Sequence, residues 1–216
     1  MIVRHRGSVG DLHALDPFAA GSAVAPQLWW YEPESPAVVL GSRQIPALLD
    51  LDRCARLGFD VVRRRSGGGV VLVVPDDLVW VDLVVPHGVA PDDVRGSMVW
   101  AGERWREALA PILPTGSTLE VNDGATRATP WSDLVCFAGV GPGEVLLDGR
   151  KLVGLSQRRT RHGLRIQAMV YRRPPQVDVA ELFLQPVPEA ALPEIAFVGT
   201  APIDGALERM AVALTD

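Results

Sequence analysis

Two short runs of the chain combine residue types that could do chemistry. The first, Arg63-Arg64-Arg65-Ser66-Gly67-Gly68-Gly69, sets three arginines beside three consecutive glycines. Glycine lets the main chain approach a ligand and turn N–H groups toward an anion, while arginine adds forked hydrogen bonds suited to phosphate or carboxylate. A hairpin turn needs one or two of these glycines, so the run reads as an anion cradle first and a turn second. It lacks the GxxxxGK[ST] spacing of a phosphate-binding P-loop. The second run is Gly149-Arg150-Lys151-Leu152-Val153-Gly154-Leu155-Ser156-Gln157-Arg158-Arg159. Lys151 is the chain's single lysine against twenty arginines. Surface cations interchange freely, but a compact ammonium cannot be replaced by a planar guanidinium. Lys151 is therefore expected to hold a carboxylate or phosphate oxygen, with chance survival as the plain alternative. Gly154 is expected to permit close approach on the same strand. Ser156 lies in GxSxR, not GxSxG, which argues against a serine hydrolase.

These residues need elements to position them. Ala37–Leu40 reads as a buried strand, followed by a helix from about Ala47 to Leu57 that Gly58 ends. Phe59–Arg64 reads as a strand running into the glycine turn and then into Val70–Val74. Leu78–Val85 is expected to pair with that last strand as a hairpin through Pro75-Asp76-Asp77. After Pro91 the apolar residues Val94, Met98, Ala101, Trp105 and Leu109 form one helical stripe, with Asp92 and Asp93 at its positive end. Strands are expected over Leu134–Ala138, Glu144–Leu147, Leu152–Gln157 and Leu164–Tyr171, and helices over Val177–Phe183 and Ile203–Leu214. Strands interleaved with helices in no regular βαβ order predict an α+β domain, a mixed sheet flanked by helices, over residues 1–216.

Composition narrows the function. The chain is 48% hydrophobic and 22% charged, normal for a protein with a packed core. A net charge of −5 argues against general nucleic-acid binding. Residues 149–175 nevertheless carry seven arginines, one lysine and no carboxylate, which reads as a solvated strand face or a surface for an anionic ligand or acidic partner. The apolar stretch Val70–Pro86 is interrupted by Pro75, Asp76, Asp77 and Asp82, and the N-terminus lacks a signal-peptide core, so a cytoplasmic protein is expected. Cys54 and Cys136 form no CxxC, and the four histidines show no paired spacing, so no metal site is expected. Cys54, Trp100 and Trp105 read as core residues. Trp29 and Trp30 could border an acyl pocket or simply be buried.

RRxSGGG, followed some eighty residues later by GRKLVGLSQRR, resembles the lipoate–protein ligase A family within the biotin/lipoate ligase superfamily. Trp29-Trp30-Tyr31 and Val38-Val39-Leu40-Gly41-Ser42-Arg43-Gln44 resemble the family's opening, in which an apolar strand ends in Gly-x-x-Gln. The resemblance implies a class II synthetase/biotin-ligase-like catalytic domain, here without the accessory C-terminal domain of many full-length ligases. It implies attachment of a lipoyl or octanoyl group, through an acyl-adenylate made with ATP and Mg²⁺, to a lysine of a lipoyl domain. Such acceptors are the E2 subunits of 2-oxoacid dehydrogenases and glycine-cleavage H-type proteins. By position it places Arg64, Ser66, Gly67, Gly68, Gly69, Val70, Val71, Leu72, Gly154 and Ser156 along the nucleotide or acyl group, and Lys151 on the lipoyl carboxylate and adenylate phosphate. A fixed ammonium and backbone donors would ease the meeting of two anions and stabilise the charge that develops in transfer.

Two alternatives stay open. Cys136, fifteen residues before Lys151, resembles the cysteine of related octanoyltransferases, which take octanoyl from acyl carrier protein as a thioester. Cationic neighbours would activate it, although an apolar-flanked cysteine is often inert packing. Leu72-Val73-Val74-Pro75 and Gln167-Ala168-Met169 also stand where the family carries aromatic-His-Asp and His-Gly. The remaining alternative is therefore a silent acyl- or nucleotide-binding paralogue, or one chain of a two-chain ligase.

Overall fold

The computed structural model describes residues 1–19, 21, 25–184 and 187–214. Ten strands form two sheets. The large sheet joins β1 (Ile2–Gly7), β2 (Gln27–Pro33), β6 (Leu78–Val85), β10 (Gly163–Tyr171), β9 (Arg150–Thr160), β8 (Val145–Leu147) and β7 (Leu119–Val121) in that spatial order. Only β1 and β2 run parallel within it. The small sheet places β3 (Ala37–Leu40) between β4 (Asp60–Arg63), parallel to it, and β5 (Val71–Val73), antiparallel. The fold is the expected α+β arrangement, with the mixed sheet divided in two.

The layers follow from side-chain alternation. Along β6, Val79, Val81, Leu83 and Val85 face the helices α3 (Val94–Leu109) and α4 (Ile203–Ala213), where Trp105, Leu109, Leu207 and Met210 complete the core. Leu78 and Trp80 face the other way, onto the small sheet, beside Tyr31, Val39, Val71, Val73, Phe137 and Tyr171. A strand buried on both faces reads as an apolar run, which is why β6 was legible. The outer face of the small sheet, Val38, Leu40, Val70 and Leu72, is covered by α2 (Leu51–Arg56) through Cys54, and by Trp131, Leu182 and Phe183.

Several expectations change. β5 and β6 do not pair; Pro75-Asp76-Asp77 carries the chain from one sheet to the other, with Asp76 at φ 65° and buried Asp77 accepting from Arg173. Alternating residues announce strands but not their partners. Leu134–Ala138 is no strand; it ends in a 3-10 turn over Cys136–Ala138. The helices expected at Ala47–Leu57 and Val177–Phe183 shorten to α2 plus a 3-10 turn at Pro46–Leu48, and to a 3-10 turn at Val179–Leu182. α3 starts as expected, Asp93 capping it through Gly96 N–H, but Val94 points to solvent at 59% exposure. β1, β2, β7 and α1 (Val9–Ala14) had no expectation attached. No helix among the described residues is long and apolar enough to cross a membrane.

Candidate active site

The Asp148-Gly149 turn delivers Lys151. Both residues have positive φ, 50° and 77°, the pattern of a tight hairpin turn that favours Asp-Gly. The turn folds β8 back onto β9 and brings Glu144 beside Lys151. The two side chains are 3% and 5% exposed, and Lys151 Nζ lies 2.7 Å from Glu144 Oε2. The ammonium also donates to the main-chain carbonyls of Cys136 (2.8 Å) and Gly139 (2.9 Å), and sits 4.9 Å over the Phe137 ring. Its three N–H donors thus meet three acceptors. Glu144 is equally engaged, accepting from Gly141 N–H at 2.7 Å and Leu155 N–H at 3.0 Å. Lys151, expected to meet a ligand anion, borders the cleft and also holds the Cys136–Gly139 segment. An arginine would not fit this tripod.

The glycine run works in a similar way. Arg64, 5% exposed, donates to the carbonyls of Gly67 (2.8 Å) and Gly69 (2.9 Å). Burial lowers its pKa, and the neighbouring Cys136 side chain works against that shift. Gly68 has φ 101°, and a Cβ there would lie 2.8 Å from Arg64 Nη2 and 3.5 Å from Cys136 Sγ. A Cβ at Gly69 would press on Leu134 and Val135 at 2.7 Å. The space these two glycines leave is filled by protein, in the segment that leads to Cys136. Gln44 braces the same segment: its Oε1 accepts from Gly41 N–H, and its Nε2 donates to the carbonyls of Asp133 and Leu134. The Gly-x-x-Gln pattern is therefore a staple between β3 and the cysteine's loop. Gly154 likewise makes room for protein, since a Cβ there would meet the Phe137 ring at 2.8 Å.

Cys136 is half-buried and lies between two cavities. The first, a small cavity of about 40 Å³, is mostly apolar and is lined by Val39, Val71, Trp80, Phe137, Met169 and His13, with Arg64 and Cys136. The second is a polar cleft bordered by Gly67, Gly68, Gly69, Gly139, Gly141, Glu144 and Lys151, again with Cys136. Ser156 and Leu155 line both. Ser66 Oγ is 3.0 Å from Ser156 Oγ and donates to Gln167 Oε1 at 2.7 Å, joining three segments of the chain at the boundary. Val70 and Leu72 do not join this group. Being one residue either side of Val71, they face a separate apolar cavity beneath Pro175, Val177 and Ile195. Trp29 and Trp30 also lie elsewhere, against His5 and Arg4; Trp80 and Phe137 are the aromatic walls.

Beneath the apolar cavity runs a second buried ion pair. Asp82 is fully buried and accepts from Arg165 Nε, Tyr31 Oη (2.9 Å) and Trp80 Nε1 (3.1 Å). Burial acts to raise the carboxyl's pKa, and those three donors oppose it. Burial and the Asp82 charge push the Tyr31 hydroxyl far above its usual value, so it remains a donor. Arg165 also donates to the Leu15 carbonyl at 2.6 Å, tying the end of α1 to the sheet. Of the arginine-rich run, Arg165 is internal, against Asp82, while exposed Arg173 meets buried Asp77 and Arg158 approaches Asp16 at 3.7 Å near the surface. The sequence reading gave no role at the site to Glu144, His13, Asp82 or Tyr31. Only Glu144 had a signal, the Asp-Gly turn that folds it back toward Lys151.

The sequence profile of the lipoyl protein ligase A/B catalytic domain matches residues 18–186. No curated protein sequence matches the chain significantly. Among solved structures, a bi-partite lipoate protein ligase with its E2 lipoyl domain from Thermoplasma acidophilum superposes with a TM-score of 0.72 at 16% identity, covering 99% of this chain and 80% of that one. A lipoate-protein ligase A bound with ATP gives 0.68 at 17% identity, covering 97% and 81%. Biotin protein ligase from Leishmania major with biotinyl-5-AMP gives 0.51 at 11% identity, covering 100% and 73%. At such identities the likeness is one of fold. The profile match over most of its length means that the chain belongs to the lipoyl protein ligase A/B catalytic domain family.

Proposed function

We propose that this chain transfers an octanoyl or lipoyl group to a lysine of a lipoyl domain through a thioester on Cys136. The observation that carries the reading is the position of Cys136, between a small apolar cavity and a wider glycine-lined cleft that Lys151 and Glu144 border. In the first step the Cys136 thiolate attacks the acyl thioester of a carrier such as acyl carrier protein. A new C–S bond forms, the old one breaks, and the carrier thiolate leaves and takes up a proton. In the second step the neutral amine of the acceptor lysine attacks the Cys136 thioester. The C–N bond forms, the amine gives up its proton, and the thiol is regenerated. Arg64 supplies positive charge beside the sulfur, and Lys151 with Glu144 fixes the cysteine's main chain.

The acyl-adenylate route expected from the motifs is the second reading, favoured by the ATP bound to a structural relative. The cleft suits a Mg²⁺–triphosphate poorly. Its single ammonium is already paired, and its single carboxylate already accepts two N–H groups and that ammonium. No step through ATP or Mg²⁺ follows from these residues. The test is intact-protein mass spectrometry after mixing with an octanoyl thioester, then with a lipoyl domain. Acyl adduct on wild type, none on Cys136→Ala, and transfer without ATP support the thioester route. Transfer that requires ATP and survives Cys136→Ala supports the ligase. No transfer under either condition, but turnover with a second chain added, points to a two-chain ligase.

A further inference from the structure

His13 leaves a polar atom unpaired in the wall of the apolar cavity. It sits near the end of α1 at 8% exposure, its ring tilted over Trp80 with centroids 4.4 Å apart. The ring lines the cavity, and its Nε2 is buried without a hydrogen-bond partner. Other polar groups of that wall are engaged: Arg64 with main-chain carbonyls, Ser156 and Gln167 with Ser66. Burial, and then the charges of Arg165 and Arg64, push the His13 pKa down to about 3, so the ring is neutral, with one nitrogen donating and the other accepting. Leaving such an atom unpaired weighs about tenfold or more in an equilibrium constant. A purely alkyl occupant would keep it unpaired, whereas an occupant carrying a hydrogen-bonding heteroatom would relieve it.

We propose that His13 is a specificity-determining residue that makes the cavity favour an acyl chain bearing a hydrogen-bonding heteroatom beyond its carbonyl, such as a dithiolane or a hydroxyl, over a plain alkyl chain. This rests on reading the cavity as the acyl site. Because the atom is already unpaired in the free protein, the preference comes from the bond that a heteroatom-bearing chain gains and a plain alkyl chain does not.

The test is calorimetric binding of 8-hydroxyoctanamide, 6-hydroxyoctanamide and octanamide, neutral probes with neither a disulfide nor a thioester, which form no bond with Cys136. Wild type is expected to bind the two heteroatom-bearing amides about tenfold more tightly than octanamide. His13→Phe, which keeps an aromatic ring over Trp80, is expected to bring the ratio near one by weakening the binding of the two heteroatom-bearing amides. His13→Gln, which keeps a hydrogen-bonding group, is expected to preserve the preference. Equal affinities in wild type, a ratio unmoved by His13→Phe, or no binding of any amide would overturn the proposal. Binding with the expected preference but no acyl adduct on Cys136 would instead overturn the thioester route and leave the role of His13 standing.

Discussion

The two ends of the Cys136 neighbourhood treat their polar atoms in opposite ways. Around Lys151 every donor has an acceptor, and Glu144 is saturated as well. Around the apolar cavity, His13 Nε2 has no partner, and Cys136 stands half-buried between two open spaces. A fully satisfied polar network rigidifies its surroundings, while an unsatisfied group at a cavity wall is poised for a ligand. On that basis the charged pair holds its loop in place, and the less conspicuous thiol and imidazole face the cavities.

The largest expected effect breaks this contrast at its reactive end. Cys136→Ala should lower acyl transfer by about 10³-fold or more while leaving the thermal midpoint nearly unchanged, because the side chain packs loosely between the cavities. Kinetics and a melting curve on the same preparation check both halves. Near-normal transfer would return the chemistry to the Lys151 side.

At the saturated end, the expectation concerns stability. Glu144→Ala strands a buried ammonium and should cost about 3–5 kcal/mol in urea unfolding. Lys151→Met with Glu144→Ala should recover much of that loss, since removing both charges leaves neither uncompensated. If Glu144→Ala were nearly neutral in stability yet abolished transfer, Lys151 and Glu144 would be reacting groups and not a clamp.

This division explains what was legible in the sequence. β3 and β6 were readable because burial on both faces writes an apolar run, β10 because its residues alternate, and α3 because its stripe and the acidic residues before it agree. The pairing of β5 was not, because periodicity is silent about partners and a Pro-Asp-Asp turn can change sheets as readily as close a hairpin. Lys151 and Gly67–Gly69 stood out by residue type, and all four border the cleft, but their type could not say which neighbours they meet. The room left by Gly68 and Gly69 is taken by Arg64 and the chain at 134–135. His13 was invisible because its meaning lies in a missing partner, which no spacing records.

Acid provides a smaller test of the unsatisfied end. The His13 pKa falls from 6.5 unfolded to about 3 folded, so the unfolded chain binds the extra proton first. Its stability contribution is therefore complete above about pH 6.5 and is lost as pH falls toward 3, amounting to roughly 5 kcal/mol at most. Unfolding free energies measured between pH 7 and 4 should fall less steeply for His13→Phe than for wild type. Parallel slopes would mean that the ring is reached by water.

Gly154 lies where the two ends meet, and gives the smallest and most discriminating effect. If its bareness served a ligand, Gly154→Ala would spare stability and weaken acyl binding. The structure gives it another neighbour: the new Cβ would press on the Phe137 ring at 2.8 Å, and lie 3.4 Å from Lys151 Cε. Phe137 is wedged between Tyr171, at a centroid distance of 4.9 Å, and the Lys151 ammonium, so it has little freedom to move away. Overpacking of this kind should cost about 1–3 kcal/mol. Phe137→Leu added to Gly154→Ala should relieve part of it, because the two substitutions act on one contact and will not add independently. Relief in the double variant would assign the glycine to the clamp; strict additivity would assign it to the cleft.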